Sequence, residues 1–295
     1  PPLLLWVWGD PALLEGPAVA LIGSRLASAA GREVAFQLAA DLAAAGVVVA
    51  SGFARGIDAA AHRGALTTGR SLAVLGRNGT GKTTLLSTLA GLRKAEAGSV
   101  SLCGESYETL GPRRAAQLRG LLPQGHLDAF QSTVLETALI GRHPHLGRWA
   151  WEGREDERIA REALAAVDLA GLGSREVHTL SGGERQRLAI AALLAQQPQA
   201  YLLDEPLAHL DLNHQIAVLE LLSRRARADG VGIVMVLHDI NLALRYADRA
   251  LLLFGESRTL EGPVAAVLTA ESLSRLYGHP LREMRDGGAR YFVPA

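Results

Sequence analysis

Between an apolar run, Leu72–Leu75, and a helix-like stretch, Thr84–Leu92, the chain reads GRNGTGKT from Gly76 to Thr83. No other segment restricts the fold as tightly. The run fits G-x-x-x-x-G-K-[ST] at every fixed position and stands in a strand–loop–helix setting. Gly76, Gly79 and Gly81 lack the Cβ that would keep a polyphosphate away from backbone N–H groups. Arg77, Asn78 and Thr80 complete the loop. It opens a helix at Lys82, Thr83 and Thr84, and a helix N-terminus favours anions. The pattern predicts that Lys82 reaches the β/γ-phosphates of a nucleotide and that the Thr83 hydroxyl ligates Mg²⁺. Among thirty Lys plus Arg residues only Lys82 and Lys94 are lysines. A lysine kept here suits a compact ammonium lying over phosphates, where a planar guanidinium fits poorly.

At 295 residues the chain is long enough for one large domain or two ordinary ones. A hydrophobic share of 48% with only 5% aromatics predicts a core of Ala, Leu and Val. Formal net charge is zero, which removes any global argument for nucleic acid or an anionic membrane. Cys103 is the single cysteine, so no intrachain disulfide exists and a reducing compartment is expected. No apolar run approaches the ~18 residues of a membrane span, and the start PPLLLWVWGDP lacks the basic flank of a signal peptide. Work at a membrane would therefore need a partner that supplies the spanning helices.

AYLLDEP, residues 200–206, reads as a buried strand ending in two carboxylates. Delivered to the phosphate loop, Asp204 is the acid that helps hold Mg²⁺, and Glu205 can polarise an attacking water as general base. Taken alone, the string is also a strand running into an acidic turn. Between the two segments lies LSGGERQR, residues 180–187. Ser181 and Glu184 have capping-box spacing, but a cap needs no Gly182–Gly183 pair, whereas a backbone that meets a phosphate does.

LSGGERQR in this position resembles the signature motif of ATP-binding cassette (ABC) ATPases. The family's other marks follow in order. LLPQ puts Gln124 at the glutamine that contacts Mg²⁺ or water and senses the transmembrane partner. PLAHLD gives Asp211 the D-loop place, and VMVLHD puts His238 at the switch histidine that orients the γ-phosphate and the water. VLETALIGRHPHLGRW, the acidic–basic helix expected over Glu152–Ala166, HDINLALRYADRALLLFGE and VLTAESLSRLYG are similar to the ATPases of importers for iron-siderophores, haem and cobalamin. The resemblance covers roughly residues 72–295.

It implies an ATPase that uses ATP and Mg²⁺ and pairs head to tail with a second copy. Each ATP would lie between the loop at 76–83 of one chain and Ser181–Gly183, with Glu184, of the other. Hydrolysis would use Glu205, His238 and Gln124. Transmembrane permease subunits and a substrate-binding protein would be the partners, and the chain would be cytoplasmic, peripheral on the inner face of the membrane.

The first seventy residues do not fit this family, whose lead-in carries antiparallel strands and an aromatic residue that stacks on adenine. No Phe, Trp or Tyr lies between Phe53 and Lys82. Instead AVALIG (18–23), the periodic stretch 31–45, GVVVA (46–50), Ile57–Leu66 and SLAVLG (71–76) alternate as β–α–β–α–β, the pattern of a doubly wound parallel layer. WGDPALLEGPAVALIGSR followed by SGFARGIDAAAHRGAL resembles the DNA-processing protein family DprA (Smf), which binds single-stranded DNA. That resemblance implies a phosphate or DNA site at Gly23, Ser24, Arg25, Arg55 and His62. Only the first half of that fold is present, and the two resemblances meet at AVLG.

The fold expected is α/β, a P-loop NTPase of ABC ATPase type with an α-helical insertion near 108–195, preceded by a partial Rossmann-like segment. The domains expected are 1–75 and 76–295. The function expected is an importer ATPase. A single-stranded DNA-binding protein, or a fusion that has lost both activities, are the alternatives.

Overall fold

The computed structural model describes residues 18–20, 28, 32, 34, 35, 38, 39, 48–50 and 71–295, except 97, 126–131, 148, 149, 256 and 257. The chain divides into two compact units, Pro1–Arg70 and Ser71–Ala295.

In the first unit, β1 (Ala18–Ala20) pairs in parallel with β2 (Val48–Ala50), Ala18 opposite Val48. Arg32, Val34, Ala35, Leu38 and Ala39 between them are helical, with Ala35 and Ala39 buried. These residues follow the β–α–β alternation read from the sequence. The helix expected over Ile57–Leu66 lies outside the described residues, as do Gly23, Ser24, Arg25, Phe53, Arg55 and His62.

The second unit is built on a six-stranded sheet in the order β10–β9–β3–β8–β7–β6. Its strands are β3 (Ser71–Gly76), β6 (Arg119–Leu122), β7 (Ala200–Asp204), β8 (Gly232–Val236), β9 (Arg249–Gly255) and β10 (Arg258–Pro263). Five run parallel; β10 alone is antiparallel, folding back on β9. β3 is hydrogen-bonded on both sides, and Ala73, Val74 and Leu75 are fully buried. That explains its unbroken apolar sequence: a central parallel strand has no face left for water. Two small hairpins complete the strands, β4–β5 (Ser101–Leu102, Glu105–Ser106) and β11–β12 (Leu281–Asp286, Ala289–Pro294).

Helices cover the sheet. They are α1 (Lys82–Leu89), α2 (Tyr107–Leu118), α3 (Val134–Leu139), α4 (Arg154–Ala166), α5 (Gly182–Gln196), α6 (Leu212–Ala228), α7 (Ile240–Tyr246), α8 (Val264–Val267) and α9 (Ala270–Tyr277). Within the stretch 108–195, β6 is a strand of the central sheet, so helices stand on both sides of it. A continuous aliphatic cluster, with Leu188, Ile190, Leu203, Leu219, Leu222 and Ile233 each at most 2% exposed, ties α5 and α6 to the strands. At roughly 25 cal/mol per Å² of apolar area, this burial is the main term holding the sheet and the helical layer together.

α5 is fastened at both ends. Ser181 Oγ accepts from Glu184 N at 3.2 Å, while Glu184 accepts from Ser181 N at 2.7 Å, the reciprocal cap read from the sequence. At the other end the buried Arg142 guanidinium donates to the Ala195 carbonyl (2.9 Å), to Gln197 Oε1 (3.1 Å) and to Asp156 Oδ1 (2.9 Å). A cation there also meets the negative end of the helix dipole.

Candidate active site

Because the parallel strands share one direction, β3, β8, β7 and β6 deliver their following loops to a single edge of the sheet. In sheets of this kind ligands bind outside the carboxyl ends of the strands. The loop 76–83 follows β3, His238 lies two residues past β8, Asp204 ends β7, and Gln124 lies two residues past β6.

The loop takes its shape from two left-handed residues, Gly79 (φ 80°) and Gly81 (φ 91°). A Cβ at either would meet nothing within 4 Å, so conformation rather than crowding requires glycine there. Gly81 is the N-cap of α1 and supplies no side-chain acceptor, which leaves the first N–H groups of the helix to bind an anion. Lys82 is 7% exposed, and its ammonium donates to the Gly76 carbonyl at 2.9 Å and the Arg77 carbonyl at 3.0 Å. The charge is thus held inside the curl of the loop.

Thr83 reaches across to β7: its hydroxyl donates to Asp204 Oδ2 at 2.6 Å. Asp204 is 3% exposed, and its other oxygen, Oδ1, is buried with no hydrogen-bond partner. A buried carboxylate oxygen without a donor is costly. Hard oxygen donors from a hydroxyl and a carboxylate suit Mg²⁺, a cation that keeps several waters and is held by one or two protein groups plus phosphates. The donor set fits that ion. Gln124 is exposed at the same edge.

Glu205 is the next residue along, and its backbone is left-handed, φ 51°. A non-glycine residue rarely adopts this conformation, which costs about 1–3 kcal/mol when imposed by surroundings. The bend separates the two acids: Asp204 faces Thr83, while Glu205 Oε1 lies 2.7 Å from His238 Nε2. An ionised carboxylate can only accept, so His238 carries its hydrogen on Nε2.

Asp211 caps α6, accepting from His214 N at 2.9 Å and pairing with His214 Nδ1 at 2.8 Å. The backbone donor holds its carboxyl below the usual carboxylate range, the His214 side chain adding to this. The carboxyl of Glu184 is likewise lowered, first by the Ser181 N–H and then by the Ser181 hydroxyl. Gly182 and Gly183 pack under the turn that follows Glu205. A Cβ on Gly183 would stand 3.0 Å from the His209 carbonyl oxygen, so this glycine has a reason inside the chain, besides any phosphate. No local sequence pattern announces this contact.

The family profile described as ABC transporter matches residues 62–208. The hemin import ATP-binding protein HmuV of Nocardia farcinica is 44% identical over 232 residues, covering 78% of this chain and 80% of that protein. The chain belongs to the ABC transporter ATPase family. The petrobactin import ATP-binding protein FpuC of Bacillus anthracis is 39% identical over 229 residues, covering 77% of this chain and 83% of that protein. A solved chain from a transporter described as of metal-chelate type, in an inward-facing conformation, superposes with a TM-score of 0.67. It is 34% identical and covers 77% of this chain and 87% of its own. A dimeric cassette in a post-hydrolysis state, bound to ADP and Pi, gives 0.57 at 28% identity, covering 67% and 86%. The cassette is accordingly an ATP-binding ATPase of the transport-coupled kind. The profile described as DNA recombination-mediator protein A matches residues 1–85, which supports the fusion read from the sequence. The two matches overlap over 62–85, across β3 and the phosphate loop.

Beside Gln124 a cavity of about 500 Å³ opens between β6, α3 and α5. Pro123 and Gly125 line it, with Ile140, Pro144, Leu188 and Ala192 from the helical layer. Ile140 is 54% exposed. Among the described residues no helix is long and apolar enough to cross a membrane.

Proposed function

We propose that the chain is the ATP-hydrolysing subunit of an importer for haem or an iron-siderophore, with cobalamin the less supported cargo. The observation that carries the catalytic part is the pair of acids at the end of β7, each committed to a different partner. Lys82 and the N–H groups of the loop 76–84 hold the phosphates. Thr83 and Asp204, with Gln124, would hold Mg²⁺, which when bound neutralises phosphate charge. Glu205 accepts a proton from the attacking water as its oxygen bonds to the γ-phosphorus and the bond to the β-phosphate oxygen breaks, giving ADP and phosphate. His238 keeps the carboxylate aimed, and its imidazole is placed to follow the γ-phosphate.

Ser181–Gly183 and Glu184 form an exposed helix start suited to the ATP of a second copy, with Asp211 beside the joint. The apolar cavity next to Gln124 is suited to a helical segment of a permease, and on this reading the chain works at the cytoplasmic face of a membrane. A substrate-binding protein belongs to the same reading. The importer names of the relatives at 39–44% identity support the cargo class.

A second reading is carried by the match over 1–85: a single-stranded DNA site at Gly23, Ser24, Arg25, Arg55 and His62. One purified sample separates the two. ATP turnover that rises when permease is added in lipid, with no micromolar oligonucleotide binding at low salt, is expected; phosphate contacts are strongest at low salt. Oligonucleotide binding lost in Arg55→Ala, without turnover, would reverse the ranking.

The sequence preceding the loop bears on the base. With no aromatic residue between Phe53 and Lys82, the base loses a stacking contact worth about 1–3 kcal/mol in nucleic-acid binders. Weak ATP affinity is expected, with GTP bound nearly as well. Calorimetry showing tight binding and a strong ATP preference would contradict this.

A further inference from the structure

α5 carries the signature at its first turn, and one polar residue on it faces inward. Gln186 is 4% exposed, on the same helical stripe as the buried Ile190 and Leu193. Its Nε2 donates to the Pro206 carbonyl at 2.9 Å. A carbonyl only accepts, so the amide nitrogen must be the end that faces it. Pro206 directly follows Glu205, the residue held at φ 51°. The carbonyl that Gln186 grips therefore belongs to the residue next in the chain to the one whose backbone aims the acid. The same turn returns to the helix at Gly183, under the His209 carbonyl. Two contacts thus join the start of α5 to the turn after β7.

We propose that Gln186 is a positioning residue that links the signature turn to Glu205 in the same chain, so that engagement of one ATP at Ser181–Gly183 sets the aim of the acid that hydrolyses the other. This rests on the reading above, in which Glu205 is the base and the signature meets a partner's ATP. The physical basis is rigidity. A buried amide that lost this acceptor would leave a carbonyl unpaired, so the helix start and the turn move as one body. A 1 Å displacement of a catalytic group can cost about 10²-fold in rate. A helix shift of that size at the signature would be enough to matter at Glu205.

The test uses Gln186→Met, which keeps length and volume and removes the donor. ATP affinity is expected to stay within about twofold, because the phosphate loop is untouched. The kcat should fall about tenfold, the scale of a lost buried hydrogen bond at a positioning site. The Hill coefficient for ATP should fall toward unity. A merely unstable variant loses active protein and kcat while its Hill coefficient stays that of the wild type. Should Gln186→Met not fold, Gln186→Leu, which also removes the donor, carries the same readouts. Wild-type kcat and Hill coefficient in a folded variant would overturn the proposal, as would failure of both variants to fold. Glu205→Gln is assayed alongside. Full turnover there would remove the catalytic reading itself, whereas a dead Glu205→Gln beside a normal Gln186→Met would remove only this link.

Discussion

Glu205→Gln is expected to keep ATP binding and to lower turnover by at least about 10²-fold, the usual scale for a general base. The substitution preserves shape, and the amide can still meet His238, but it cannot take a proton from water. Since Asp204, not Glu205, accepts from Thr83, the binding half of the site stays intact. The variant should therefore bind ATP, form the two-chain sandwich and fail to reopen it. Size-exclusion chromatography with ATP should show a persistent dimer that the wild type shows only in passing. An unchanged steady-state rate would take Glu205 out of the mechanism.

Lys82→Ala should have the second large effect. The ammonium donates to two loop carbonyls, so its removal takes away both the charge that faces the phosphates and the strut that holds the curl of the loop. Charge-assisted hydrogen bonds are worth about 1.5–3 kcal/mol each, so a rise in the Kd for Mg-ATP of about 10²-fold or more is expected. Lys94→Ala removes the other lysine, outside α1, and should bind as the wild type does. Equal calorimetric affinities for wild type and both variants would mean that the loop is not the phosphate site.

Much of this site could be read from the chain because it is made of backbone geometry with few sequence solutions. Glycines at 79 and 81, a lysine and a hydroxyl after them, and an apolar strand before them leave little choice of fold. The pair of acids was readable by type and order, but the left-handed bend at Glu205, past the end of β7, is what sends the two to different partners. The contacts between motifs were not readable. That Glu205 sits at positive φ, that His238 pairs with it, and that His209 closes over Gly183 depend on how β7, β8 and α5 pack. No local pattern encodes those distances. Gln186 did leave a trace. It shares a helical stripe with Ile190 and Leu193, and a lone amide on an apolar stripe must find an acceptor. The position of β6 inside the helical region was hidden too, because RGLL is too short to announce a strand by period.

The close approach at Gly183 has a consequence for mixed populations of chains. This glycine lies against the turn that follows the proposed catalytic acid of its own chain and, in the proposed pair, faces the nucleotide of the other. A side chain there would disturb both sites of any dimer that contained one altered copy. Altered subunits made alongside normal ones would spoil their partners, and the defect would behave as dominant. A change confined to the phosphate loop would leave the opposite site its own loop and its own acid.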